Sequence, residues 1–157
     1  ETADAALVAK DRVCGRTVPG SVRRMAGEPP TTAPDRIDVT VPLRTEFAAT
    51  LRTVAAAIGS DAGFSVDELD DVRLALSEVF SVLVDAAGEA GRARVTFSRT
   101  PGELSVVIGT DGDHVALELD DLATNILASV TDGYAIGTDG VTFSKRSRDL
   151  LDDHREP

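Results

Sequence analysis

Residues 65–87, SVDELDDVRLALSEVFSVLVDAA, constrain what this chain can fold into more than any other stretch. Ser65 followed three positions later by Glu68 has the form of a capping box. In it the hydroxyl accepts from the third helical N–H, and the carboxylate reaches back to the cap amide. Asp67, Glu68, Asp70 and Asp71 crowd the first turns, where negative charge meets the positive end of the helix dipole. Val66, Leu69, Val72, Leu76, Val79 and Leu83 recur at three- and four-residue steps, and Leu74, Phe80, Val82 and Val84 widen the stripe. Gly88 supplies the stop. The pattern predicts one long helix, and its second half, apolar nearly all round, predicts a place between two packed layers. Glu78 points inward in that half, and a carboxylate at such a position needs a partner or a purpose.

The flanking sequence supplies the rest of the layers. Ile37, Val39, Val41 and Leu43 alternate with Arg36, Asp38, Thr40 and Pro42, which reads as a half-buried strand at a sheet edge or strand end. Residues 45–58 read as an amphipathic helix through Phe47, Leu51, Val54 and Ile58, with Gly59 as its stop. Residues 94–98 and 104–109 form a hairpin about Thr100-Pro101-Gly102-Glu103. Residues 115–119 alternate and fit either a strand or an extended loop. Residues 120–131 read as a helix with Leu122, Ile126, Leu127 and Val130 inward. Residues 134–136 and 141–145 make a last hairpin about Thr138-Asp139-Gly140. Strand, helix, helix, hairpin, helix, hairpin is the order of an α+β two-layer sandwich. Its helices pack on one face of a mixed, mainly antiparallel sheet.

Composition bounds the function. The 157 residues suffice for one domain with a proper core, and no apolar run approaches the roughly 20 residues that span a bilayer. The N-terminus lacks the charged, apolar and small-residue order of a signal peptide, so the cytosol is the expected address. Gly15, Pro19, Gly20, Gly27, Pro29, Pro30 and Pro34 break residues 1–34 into an expected flexible arm. Residues 35–146 are the expected domain, and 147–157 a charged tail. A lone Cys14 with His114 and His154 gives no metal-ligand cluster, and both histidines read as bystanders. The net charge is −11, and residues 35–157, with 23 acidic and 11 basic side chains, carry −12 of it. Such a domain is repelled by phosphate backbones, which argues against direct nucleic-acid binding and for a basic protein partner.

Residues 36–146 resemble the anti-sigma-factor serine kinases of bacterial partner-switching systems, a branch of the histidine-kinase-like (GHKL, Bergerat-fold) ATPases. The resemblance rests on IDVTVPL, DELDDVRLALSEVF, LSVVIGTDGD and DGVTFSKR in sequential order. It implies a serine/threonine kinase-like fold, a sigma factor as partner, a competing anti-anti-sigma factor, a homodimer, and a site for ATP and magnesium. Glu78 falls on the family's acidic helix position, where the carboxylate serves as general base or orients the attacking group. Four residues on, Val82 replaces the Asn that holds magnesium, and an isopropyl group offers a metal no lone pair. Thr110, two residues before Gly112 in Thr110-Asp111-Gly112, stands where the family has its adenine-reading Asp. Asp120-Asp121-Leu122-Ala123 stands where a glycine-rich phosphate loop is expected. Gly140 and Thr142 match a Gly-x-Thr that supports the adenine pocket. Glu78 can equally be a structural carboxylate bonded to Arg73 or a backbone donor, a relic, a working base, or partly exposed. The expectation is an anti-sigma-factor-like regulator that sequesters a sigma factor, with ATP binding weak or lost and no cofactor. The alternatives are an active ATP-dependent serine/threonine kinase acting on an anti-anti-sigma factor, and an ATPase-fold domain with some other regulatory partner.

Overall fold

A computed structural model of the chain describes residues 33–88, 90–112, 115–138 and 140–148. Most of the expected arm with Cys14, the loop residue His114, and the tail from residue 149 with His154 lie outside the described residues. Nine elements follow in order. Strand β1 (Asp35–Pro42) leads through a 3-10 turn (Thr45–Phe47) to helix α1 (Ala48–Asp61) and the long helix α2 (Val66–Ala87). Strands β2 (Arg92–Thr100) and β3 (Glu103–Thr110) precede helix α3 (Asp121–Val130), and β4 (Gly133–Gly137) and β5 (Gly140–Arg146) close the fold.

The strands form one sheet in the order β1-β2-β3-β5-β4. All four pairings are antiparallel, so the expected α+β sandwich is present with an antiparallel rather than a mixed sheet. Strand alternation sorts the two faces. Val41, Ala93, Val95, Phe97, Leu104, Val106, Ile108, Val141 and Phe143 are buried beneath the helices. Arg36, Asp38, Arg94, Thr96, Val107 and Thr142 belong to the opposite face, as the cross-strand pairs Asp38–Thr96, Thr96–Val107 and Val107–Thr142 require.

The capping box forms as the sequence requires. Glu68 N donates to Ser65 Oγ at 3.4 Å, and Ser65 N donates to Glu68 Oε2 at 2.8 Å. Val72, Ala75, Leu76, Val79, Phe80, Leu83 and Val84 bury one side of α2 against the sheet and the neighbouring helices. Leu74, Ser81 and Asp85 remain exposed, so α2 is the middle member of one helical layer rather than an element between two layers.

Two further sequence expectations yield to tertiary packing. Gly59 does not stop α1, which runs on to Asp61. A Cβ at Gly59 would sit 2.7 Å from Leu69 Cδ2 and 3.3 Å from Phe64 Cδ2, so the missing side chain lets α1 and the start of α2 approach. Leu122, expected inward, is 64% exposed on the first turn of α3, while Ala123, Leu127 and Val130 face the core. Residues 115–119 join no ladder among the described residues, and Leu117 is buried.

Candidate functional site

The second half of α2 and the segment 115–120 border an open cleft of about 470 Å³. Val82 and Ala86 line it from the helix, four residues apart and so one above the other. Ala116 faces them from the segment. Asp85, Glu118 and Asp120 complete the lining with three carboxylates. The Asp120 side chain also caps α3, accepting from Ala123 N at 2.7 Å. The cleft wall is therefore tied to a helix N-terminus whose own donor is already satisfied.

Glu78 lies one turn before Val82 on α2 and is half-buried rather than deep. The partners the sequence offered it are engaged elsewhere. Arg73 Nη1 donates to Asp70 Oδ1 at 2.6 Å, and Ser77 Oγ donates to the Arg73 carbonyl at 2.7 Å. Arg52 Nη1 in turn donates to Ser77 Oγ at 3.3 Å. Among the described residues Glu78 has no hydrogen bond or ion pair, which solvent access makes tolerable without a buried partner.

The remaining site residues of the sequence reading are placed apart from α2. Thr110 ends β3 opposite Ala93. With Asp111 and Gly112 it borders a second cleft, of about 530 Å³, among Arg36, Arg94, Thr96 and Val107. The Asp111 carboxylate is ion-paired with Arg94. On the same face Asp38 accepts from Thr96 Oγ1 at 2.5 Å and from Arg36, which together hold its carboxyl below the ordinary range. Thr142 sits opposite Val107, on the face turned away from the helices. Among the described residues the two clefts share no lining residue.

Gly140 has a local reason to be glycine. Its φ is 128°, and an added Cβ would lie 2.0 Å from the Ile108 carbonyl oxygen and 2.8 Å from Gly109 Cα. The space its missing side chain leaves is occupied by the β3 backbone, not held open for a ligand.

Around α2, the described residues do not fit a magnesium triphosphate. Val82 supplies no oxygen where the resemblance expects an amide, and Asp85, Glu118 and Asp120 line the same cleft with carboxylates, whose charge would repel phosphate. No group of three or more His, Cys, Asp or Glu among the described residues is placed to hold a metal ion.

Sequence reasoning missed a buried charged pair that locks the site's frame. Lys145 on β5 is only 4% exposed. Its Nζ donates to Asp71 Oδ2 at 2.7 Å and to the Val130 carbonyl at 3.0 Å. It thereby joins β5 to α2 and caps the C-terminal, negative end of α3. Beside it, Glu68 is buried, and desolvation pushes its carboxyl up. Donation by Arg148 N at 2.7 Å, by Ser65 N and by Ser65 Oγ, together with the Lys145 charge, outweighs that and leaves it below the ordinary range. A lone lysine in a strand of alternating apolar residues was the available signal.

No protein-family model matches the chain. Pairwise similarity is informative. Over 80 residues it is 26% identical to the serine-protein kinase RsbW of Halalkalibacterium halodurans, covering 50% of this chain and 49% of that protein. Over 94 residues it is 22% identical to the RsbW of a Bacillus cereus strain, covering 59% of this chain and 58% of that one. This chain is a relative of the RsbW serine-protein kinases. It spans about half the length of the RsbW proteins it matches. The crystal structure of the RsbU and RsbW domains of Rv1364c from Mycobacterium tuberculosis superposes with a TM-score of 0.52 at 16% identity. That match covers 73% of this chain and 32% of the other, and it shows that the fold is shared. The RsbW-like fold accounts for the helical layer and the antiparallel sheet.

Proposed function

We propose that this chain is an RsbW-type regulator that works by holding a sigma factor on its surface, with ATP binding weak or lost. The observation that carries the reading is the cleft beside α2. Val82 stands where the resemblance expects a metal-holding amide, and Asp85, Glu118 and Asp120 line the same cleft, where their charge would repel a triphosphate. Electrostatic preorganisation is the main resource of a phosphoryl-transfer site, and here its sign is reversed. The charge of residues 35–157 supports the partner: sigma factors are basic because they read DNA, and opposite charge steers association. A competing anti-anti-sigma factor and a homodimer complete the proposed switch. The test is co-purification from the native cell, followed by binding of purified sigma factors. A sigma factor held at micromolar affinity or better is expected. If none co-purifies and none binds in isolation, the reading fails.

The second reading is an active serine/threonine kinase. One observation favours it: Glu78 is half-buried and has no ion-pair partner among the described residues, so its carboxylate is free to accept a proton. Transfer of labelled phosphate from ATP to an anti-anti-sigma factor, abolished by Glu78→Gln, is the result that would establish it.

A further inference from the structure

We infer that the open end of the sheet beside β4 is the docking groove for a cationic, apolar segment of a partner protein, bound in extended form. This rests on the reading that the chain works by holding a protein. A groove of about 600 Å³ is lined by Val115, Ala116, Leu117, Ile136, Gly137 and Thr138. Its floor is mainly aliphatic. Ile136 pairs across the ladder with Val141, which is fully buried on the helix-covered face, yet Ile136 itself is 49% exposed. A large apolar side chain left half-exposed on the covered face offers a seat for an apolar group from elsewhere.

Two backbone features fit an extended occupant. β4 ends the sheet and, among the described residues, pairs with β5 alone. Residues 115–119 belong to no helix or strand, and among the described residues their amides and carbonyls make no backbone hydrogen bond. Strand addition at such an edge takes affinity from main-chain bonds and specificity from alternate side chains.

The charge of the occupant follows from the rim. Ala116 belongs both to this groove and to the acidic cleft beside α2, so the aliphatic floor continues directly into Asp85, Glu118 and Asp120. A segment with an apolar residue in the groove places its neighbours among these carboxylates, where lysine or arginine is favoured and an acidic residue is repelled. Lysine and arginine stems also pack on alanine and valine surface such as Ala116 and Val82.

The test uses the full chain and two labelled hexapeptides, alternating Lys-Leu and alternating Glu-Leu, read by fluorescence anisotropy at low and high salt. The Lys-Leu peptide is expected to bind at least about tenfold tighter, with a preference that shrinks as salt screens it. Ile136→Asp decides between groove and bulk charge. It adds negative charge, so non-specific attraction would hold or strengthen binding. Loss of the apolar seat instead weakens it about tenfold or more. Glu118→Lys is expected to weaken binding several-fold, while Asp67→Lys at the far end of α2 leaves it unchanged. Hydrogen exchange on the bound chain is expected to show new protection over residues 133–137. Unchanged binding by Ile136→Asp, or protection elsewhere only, overturns the proposal. So does a dimer of the chain alone that Ile136→Asp dissociates, because a second copy then fills the groove. Titrating a sigma factor against the same variants separates the two ideas. A sigma factor that binds wild type and Ile136→Asp alike removes the groove and leaves sequestration standing. Peptide binding without sigma-factor binding does the reverse.

Discussion

Replacing Lys145 with methionine keeps most of the volume of a buried side chain and removes only its charge. In the native protein the ammonium holds Asp71 Oδ2 at 2.7 Å and the Val130 carbonyl at 3.0 Å. Breaking a buried ion pair by removing one partner costs about 3–5 kcal/mol, because the other charge is left uncompensated. The Asp71 side chain is 34% exposed and regains some water, which places the expected loss at the low end, about 3 kcal/mol. For a domain of this size each kcal/mol lowers Tm by about 4 °C, so the melting point should fall by about 12 °C. Urea denaturation should show a lower midpoint with an unchanged m-value, the signature of lost stability without a change in compactness. Asp71→Asn completes a double-mutant cycle, with an expected coupling of about 1–3 kcal/mol. A loss below about 1 kcal/mol in Lys145→Met, or additive single mutants, would refute the claim that this pair fastens β5 to α2 and α3.

Three more outcomes follow from the same geometry. Gly140→Ala should cost about 3 kcal/mol or prevent folding, since its Cβ would lie 2.0 Å from the Ile108 oxygen, whereas Gly88→Ala, with φ 72° and open space, should cost only about 1–2 kcal/mol in a urea titration. Glu68 titrates lower in the folded chain than in the unfolded one, so its contribution is fully present above the ordinary carboxylate range, near pH 4–5, and disappears as pH falls through the lower folded value. Urea midpoints measured between pH 7 and pH 3 should therefore fall on acidification, and Glu68→Gln should flatten that limb and be less stable at pH 7. Val82→Asn should leave Mg-ATP binding undetectable by calorimetry, because Asp85, Glu118 and Asp120 remain; strong binding by that single variant would show that the carboxylates matter little.

The parts of the fold that local chemistry dictates were legible in the chain. The Ser65–Glu68 box and the Val72-Leu76-Val79-Leu83 spacing place α2, and the Pro101-Gly102 turn places the β2–β3 hairpin with Thr100 opposite Glu103. What escaped reading depends on contacts distant in sequence. Gly59 looks like a helix stop, but its role is to admit Leu69 and Phe64. Residues 115–119 alternate like a strand, yet no neighbouring strand accepts them. The width of the apolar stripe predicts an inward Glu78, but the row Leu74-Glu78-Val82 runs along the border of the buried face. The resemblance puts Glu78 and Val82 on α2, Gly140 and Thr142 on β5. It did not foresee that β-sheet register turns Thr142 to the other face, or that the β3 backbone fills the space beside Gly140. Lys145 stands out locally among the apolar residues of its strand, but its partner Asp71 lies 74 positions away, so the pair itself escapes a local reading.

Isothermal titration of the full chain with Mg-ATP at millimolar concentration, alongside a melting curve at the same concentration, bears most directly on the function proposed for this protein. With the cleft beside α2 lined by Val82 and three carboxylates, no binding heat and a melting point unchanged within error are expected. Saturable binding, with the rise of about 2.7 kcal/mol that a ligand at a hundred times its Kd confers, would contradict the account.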